Sequence, residues 1–172
     1  MLTLPAARAL SRAQHLLTRN GYALTLFDGY RPQRAGDHMR RWARDPYQQA
    51  GKEQYVPRVP KDRLFGPDHI HAHSGHSRGS TVDITLTTPD GTFLDMGTPF
   101  DFFDPRSRTD HPDIAPAARE HRRLLHHAMT WAGFHNLPTE WWHFTLDGEP
   151  FPHTCFDFPA TRAALGADLC AA

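Results

Sequence analysis

The stretch HIHAHSGHSRGSTVD, residues 69–83, sets four histidines within eight positions and then reaches an aspartate. Imidazole and carboxylate are the donors a divalent metal commonly takes from a protein, so metal binding is the chemistry this spacing raises first. Two ligand sets are open. His69, His71 and His73 alternate, and on a strand they would share one face and could grip an ion by themselves. Alternatively, His76 and Asp83 bind, with the glycine-containing turn in HSRG bringing the histidine back towards the aspartate.

The second set is favoured by the pattern around Asp83. TVDITL reads as a strand in which Val82, Ile84 and Leu86 supply the apolar face, so the Asp83 carboxylate stands on the opposite one. That face either meets water or holds a metal. PTEWWHF, residues 138–144, offers Glu140 and His143 for a third position. In a fully extended chain their side chains would point to opposite faces. They converge only if Glu140 sits in a turn after Pro138, ahead of the strand proper. The competing reading is a packing strand built on Trp141 and Trp142. Two histidines and one carboxylate leave a fourth tetrahedral position for water, the make-up of a catalytic rather than a structural zinc. Zinc lowers the pKa of such a water to about 7 and polarises a carbonyl. An unliganded Glu140 could then take the water's proton and pass it to the leaving group.

These residues need elements to hold them. Ala6, Leu10, Ala13 and Leu17 recur at helical spacing and Asn20-Gly21 stops the run. YALTLF (22–27) alternates as a strand and GYRPQ turns the chain after it. Residues 33–50 carry a helix with a thin inner face of Met39, Trp42 and Ala43, and 51–68 form a long loop. Residues 80–97 read as a hairpin, with PDG as its turn and Phe93 and Leu94 on the return strand. Residues 98–115 are irregular. Pro116 opens a helix carrying Leu124, Leu125, Ala128 and Met129, which closes at Gly133. WWHFTL (141–146) is the last strand. Helices followed by strands, without a βαβ rhythm, predict an α+β fold: a small, mainly antiparallel sheet flanked by helices.

At 172 residues the chain is expected to be a single domain, 1–172, able to bury a core. Its 19 basic and 19 acidic residues balance, so no footprint for nucleic acid or an anionic membrane surface is present. No apolar run approaches the roughly 18 residues of a membrane span, and no secretory signal opens the chain. A cytoplasmic location is the default expectation. Cys155 and Cys170 form no CxxC pair and are expected as thiols in a reducing compartment rather than a disulfide.

SGHSRGSTVDITL (74–86) fits the pattern SxHxxGxxxD, and EWWHF (140–144) fits ExxH. With FDGYRP (27–32), DMGTPFDFFD (95–104) and PFPHTCFDFP (150–159), they resemble the VanX-type D-alanyl-D-alanine dipeptidases. These form a branch of the zinc peptidases that share the hedgehog/D,D-peptidase fold. The resemblance implies one zinc ion per chain held by His76, Asp83 and His143, with Glu140 as the catalytic base. It implies that Arg31 stabilises the tetrahedral intermediate, where a guanidinium would oppose charge developing on the carbonyl oxygen. It also places Ser74 and Asp101 in the dipeptide pocket, the hydroxyl suiting the substrate carboxylate and the aspartate the free ammonium. His69, His71 and His73 are then not ligands, and His126 and His127 are surface or core-edge residues. Only 26 residues precede FDGYRP, fewer than is usual in these dipeptidases, so a more open pocket that accepts longer D-amino-acid-terminated peptides is an expectation.

The function implied is zinc-dependent hydrolysis of the small dipeptide D-Ala-D-Ala. The alternatives are a D,D-carboxypeptidase acting on peptidoglycan stem peptides and a catalytically silent zinc-binding module. Glu140 and Arg31 argue against the silent module, since a purely structural zinc has no use for either.

Overall fold

A computed structural model of the chain describes residues 1–64 and 74–161. His69, His71, His73 and Cys170 lie outside the described residues. The elements run α1 (Leu4–Thr18), β1 (Ala23–Asp28), α2 (Gln33–Arg44), α3 (Lys52–Tyr55), β2 (Thr81–Thr87), α4 (Pro116–Trp131), β3 (Phe134–Asn136) and β4 (His143–Leu146). Short 3-10 turns occupy Lys61–Arg63, Gly75–Arg78 and Pro105–Ser107. The four strands form one antiparallel sheet in the order β1-β2-β4-β3. This is the expected α+β architecture.

Periodicity explains the core. Helix α1 buries Ala6, Ala9, Ala13 and Leu17, and α4 buries Ala118, Leu125, Ala128 and Met129. They pack against Val82, Ile84 and Leu86 of β2, Phe134 of β3, and Phe144 and Leu146 of β4, so both helices cover one face of the sheet. Alanines on that side of α1 let the helix lie close to α4 and the strands. Full burial of each large side chain here contributes about 1.5–3 kcal/mol. Ala43, Val56, Leu64 and Phe103 form a second, smaller cluster, which joins α2 to the segment after it.

Several details differ from the sequence reading. The helix expected over 33–50 ends at Arg44, because Asp45 is extended and precedes Pro46. The loop after it contains the single turn α3 and a 3-10 turn. The return strand of the hairpin is reduced to one bridge, Thr87 to Phe93, with Leu94 N–H donating to Leu86 O at 3.1 Å. Strand β3 was not foreseen, since three residues carry too short a pattern to read. The last strand starts at His143 rather than 141, after a turn. Finally, the polar face of β2 is not a solvated one: all seven of its residues are buried. Among the described residues, no helix is long and apolar enough to cross a membrane.

Candidate active site

Three strands deliver the site. In register, Asp83 of β2 stands opposite His143 of β4 on one side and Asp28 of β1 on the other. Directly paired residues in a sheet point to the same face, so these three side chains form a row across it. Asp28 joins the row because β1 shifts register between Leu26 and Asp28. Without that bulge Phe27 would face Asp83. Bulges re-aim side chains in this way and are over-represented beside functional sites.

His76 comes from the 3-10 turn before β2. Ser74 caps that turn, its hydroxyl accepting from the His76 N–H at 3.3 Å, and Gly79 ends it with φ +74. Gly75 is required by space, since a Cβ there would lie 2.4 Å from Thr81 Oγ1. The His76 ring is then fixed. Its Nδ1 lies 2.7 Å from Gly29 O, and because a carbonyl only accepts, Nδ1 carries a proton and donates. In the neutral ring Nε2 therefore presents a lone pair, and it faces Asp83 Oδ2 at 3.2 Å. His143 Nδ1 approaches the other oxygen, Oδ1, at 3.0 Å.

Lone pairs converging this closely in a buried pocket repel unless a proton or a metal cation sits among them. His76 and Asp83 are each only 2% exposed. Burial alone would push the Asp83 carboxyl up, but His76 and His143 together hold it far below the usual carboxylate range. One ligand atom from each of His76, Asp83 and His143 falls within 4.8 Å of the others, a group able to hold a metal ion. Donor chemistry and separation fit a divalent ion, and the Nδ1–H bond from His76 to a main-chain carbonyl is the outer support that metal-binding histidines usually have.

Glu140 does reach the site. It sits in the turn after Pro138, ahead of β4, as its convergence with His143 requires. Its Oε2 is 3.7 Å from His143 Nδ1, and the side chain is buried. Arg31 follows β1 and donates from Nε and a terminal nitrogen to Asp28 Oδ2, at 2.8 and 2.7 Å, while the same terminal nitrogen lies 3.5 Å from Asp83 Oδ2. Arg31 thus pins the turn that carries it and also reaches the row. Burial opposes its charge, but Asp28 and Asp83 outweigh this and keep its pKa above the ordinary value. Asp101 has φ 57 and is the single non-glycine residue with positive φ among the described residues. A backbone held in that sparsely populated region is commonly a feature of functional sites. Arg31, Ser74, Asp101 and Glu140 line one cavity of about 50 Å³ with the three metal-type donors.

Sequence reasoning missed Asp28, although its opposite charge three residues before Arg31 was a usable signal. It also missed Met39, Phe103 and Leu137, which line the same cavity as half-buried or buried apolar residues. His111 is engaged locally, accepting from Asp113 N–H at 3.2 Å, and His126 and His127 are exposed on α4.

Burial, reinforced by Asp83 and only partly opposed by Arg31 and His143, pushes Glu140 up to about 7, and Asp101 likewise to about 7. A carboxyl whose folded pKa is raised binds protons on folding, so stability falls as pH rises from about 4, the unfolded value, to about 7. Asp83 acts in the opposite sense: its contribution is present above about pH 4 and is lost as pH falls below that. Metal-free protein should therefore lose roughly 3–4 kcal/mol between pH 4 and pH 8 through Glu140. Thermal melts of chelator-treated wild type and Glu140→Gln across this range test the point. The wild type should fall more steeply with pH, and parallel profiles would contradict it.

A sheet face that gathers two imidazoles and a carboxylate, with a second carboxyl and a guanidinium lining the same cavity, has the composition of a metal-dependent hydrolase. The family model and the curated relatives agree on the family. The family model described as D-ala-D-ala dipeptidase matches residues 1–161, and this chain belongs to that family. It is 44% identical over 154 residues to a D-alanyl-D-alanine dipeptidase of Streptomyces coelicolor, covering 88% of this chain and 75% of the relative. A D-alanyl-D-alanine dipeptidase of Enterococcus faecium is 39% identical over 158 residues, covering 91% and 78%. The solved structure of a vancomycin-resistance D,D-pentapeptidase, VanY, in complex with Zn(II) aligns with a TM-score of 0.47 at 16% identity, covering 91% of this chain and 80% of that one.

Proposed function

We propose that this chain is a zinc-dependent dipeptidase that hydrolyses D-alanyl-D-alanine. The reading takes residues 1–172 as one domain acting on a small dipeptide in the cytoplasm. The observation that carries it is the convergence of Glu140 and Arg31 on the His76–Asp83–His143 group inside one cavity. The relatives' names supply the substrate, and their similarity extends over most of the chain.

In this reading His76, Asp83 and His143 would hold one zinc ion. When bound, zinc supplies Lewis acidity, lowering the pKa of water and polarising the scissile carbonyl. Glu140 accepts a proton from the attacking water and delivers it to the departing amine; burial raises its proton affinity above that of a free carboxylate, which favours acceptance of that proton. Arg31, kept charged and fixed by Asp28, opposes the negative charge that develops on the carbonyl oxygen. Asp101 receives the substrate's ammonium, and that cation would bring its pKa back down. Ser74 keeps its O–H free to donate to the substrate carboxylate while its oxygen caps the turn.

Purified protein incubated with D-Ala-D-Ala should release D-alanine. A chelator should abolish the release and added zinc should restore it. Turnover that survives complete removal of metal would remove zinc from the reaction.

A further inference from the structure

Glu140 and His143 face the same cavity only because the segment between β3 and β4 is folded back, and one side chain spans that fold. Asn136, the last residue of β3, donates from Nδ2 to the main-chain oxygens of both Glu140 and His143, each at 2.9 Å. Its Oδ1 accepts from Thr109 Oγ1 at 2.5 Å. The reversed amide would set Oδ1 against two carbonyl oxygens, so this orientation alone satisfies the group. Main-chain bonds close the same loop: Leu137 N–H to His143 O at 3.0 Å and Glu140 N–H to Leu137 O at 2.9 Å. Thr109 is itself tied to the loop, its N–H donating to Pro138 O at 3.1 Å. A two-pronged donor at the base of the loop therefore sets the spacing between the two residues that must meet over the metal.

We infer that Asn136, oriented by Thr109, is a positioning residue that holds Glu140 and His143 in catalytic register. It touches neither metal nor substrate and acts through those two residues. The inference deepens the functional reading above and rests on it. An aliphatic side chain at 136 would remove one of the two donors on each carbonyl, leaving Glu140 O to the His143 N–H and His143 O to the Leu137 N–H alone, and would loosen the loop. An aspartate would be worse, placing an acceptor against two acceptors.

The test uses Asn136→Ala, Asn136→Asp and Thr109→Val in the full chain, with three readouts: zinc affinity by competition with a chelator, the visible spectrum of the cobalt(II)-substituted protein, and kcat and KM for D-Ala-D-Ala. Asn136→Ala should lose about 10- to 100-fold in zinc affinity and in kcat, with KM within about threefold and an altered cobalt spectrum. Asn136→Asp should lose more. Thr109→Val, which keeps the amide but removes its orienting donor, should move kcat in the same direction by less, and it decides the matter if the Asn136 variants do not fold. A lowered melting temperature with kcat per bound metal and the cobalt spectrum unchanged would make the residue merely structural and overturn the inference. Wild-type protein that neither binds cobalt nor releases D-alanine would overturn the functional reading, and the inference with it. An active wild type beside unaltered variants overturns the inference alone.

Discussion

Glu140→Gln is expected to lower kcat for D-Ala-D-Ala by about 10³-fold while leaving zinc content and KM close to wild type. The amide is isosteric and preserves packing in a position that is only 6% exposed. It cannot take a proton, so the loss isolates proton transfer. Glu140 stands outside the three-residue metal group, and its nearest approach to His143 Nδ1, 3.7 Å, is longer than either histidine's approach to Asp83. Metal retention is therefore part of the expectation. Burial raises the Glu140 pKa in the metal-free protein and a bound divalent cation would lower it again, so the zinc-loaded wild-type rate should fall on the acid side as the carboxylate becomes protonated, and this acid limb should vanish in Glu140→Gln. Near-normal turnover by a zinc-loaded Glu140→Gln protein would remove Glu140 from the proton path.

Asp83→Asn is expected to have the larger effect on the metal itself. Asp83 is the centre of the row: both histidines converge on its two oxygens, and Arg31 lies 3.5 Å from one of them. The amide keeps the volume but removes the charge that a divalent ion needs, and it turns an N–H donor towards one of the imidazole nitrogens. Zinc affinity should fall by more than about 10³-fold, with no measurable D-alanine release at equimolar zinc. His73→Ala is the matching control and should leave zinc content unchanged. If His73→Ala lost the metal while His76→Ala and Asp83→Asn kept it, the ligand set would be the alternating histidines instead.

These expectations draw on features that were unequally legible in the sequence. Helices α1 and α4 and strands β1, β2 and β4 announce themselves by local period, because burial on one face imposes spacings of 3.6 or 2 on the apolar residues. SxHxxGxxxD and ExxH are legible for a related reason. The first spans a turn and the strand it feeds, and the second spans a turn and the strand after it, so local geometry alone makes the pairs compatible. The requirement that Glu140 occupy a turn was readable from Pro138 and from the opposite faces that an extended chain would impose.

The sequence by itself thus determined helices α1, α2 and α4, strands β1, β2 and β4, and the candidate metal donors with the residues most closely tied to them. Tertiary structure alone decided how they meet. The register shift that turns Asp28 into the row, the Gly29 carbonyl that fixes which nitrogen of His76 is free, the left-handed backbone at Asp101 and the Asn136 clamp all depend on partners distant in sequence or on a backbone detail without a local pattern. The burial of Asp83 has the same origin. Its strand lies at the interior of the sheet, between β1 and β4, so a face that alternation alone would leave open to water is closed by other parts of the chain. That closure makes a carboxylate between two imidazoles a candidate cation site rather than a solvated surface group.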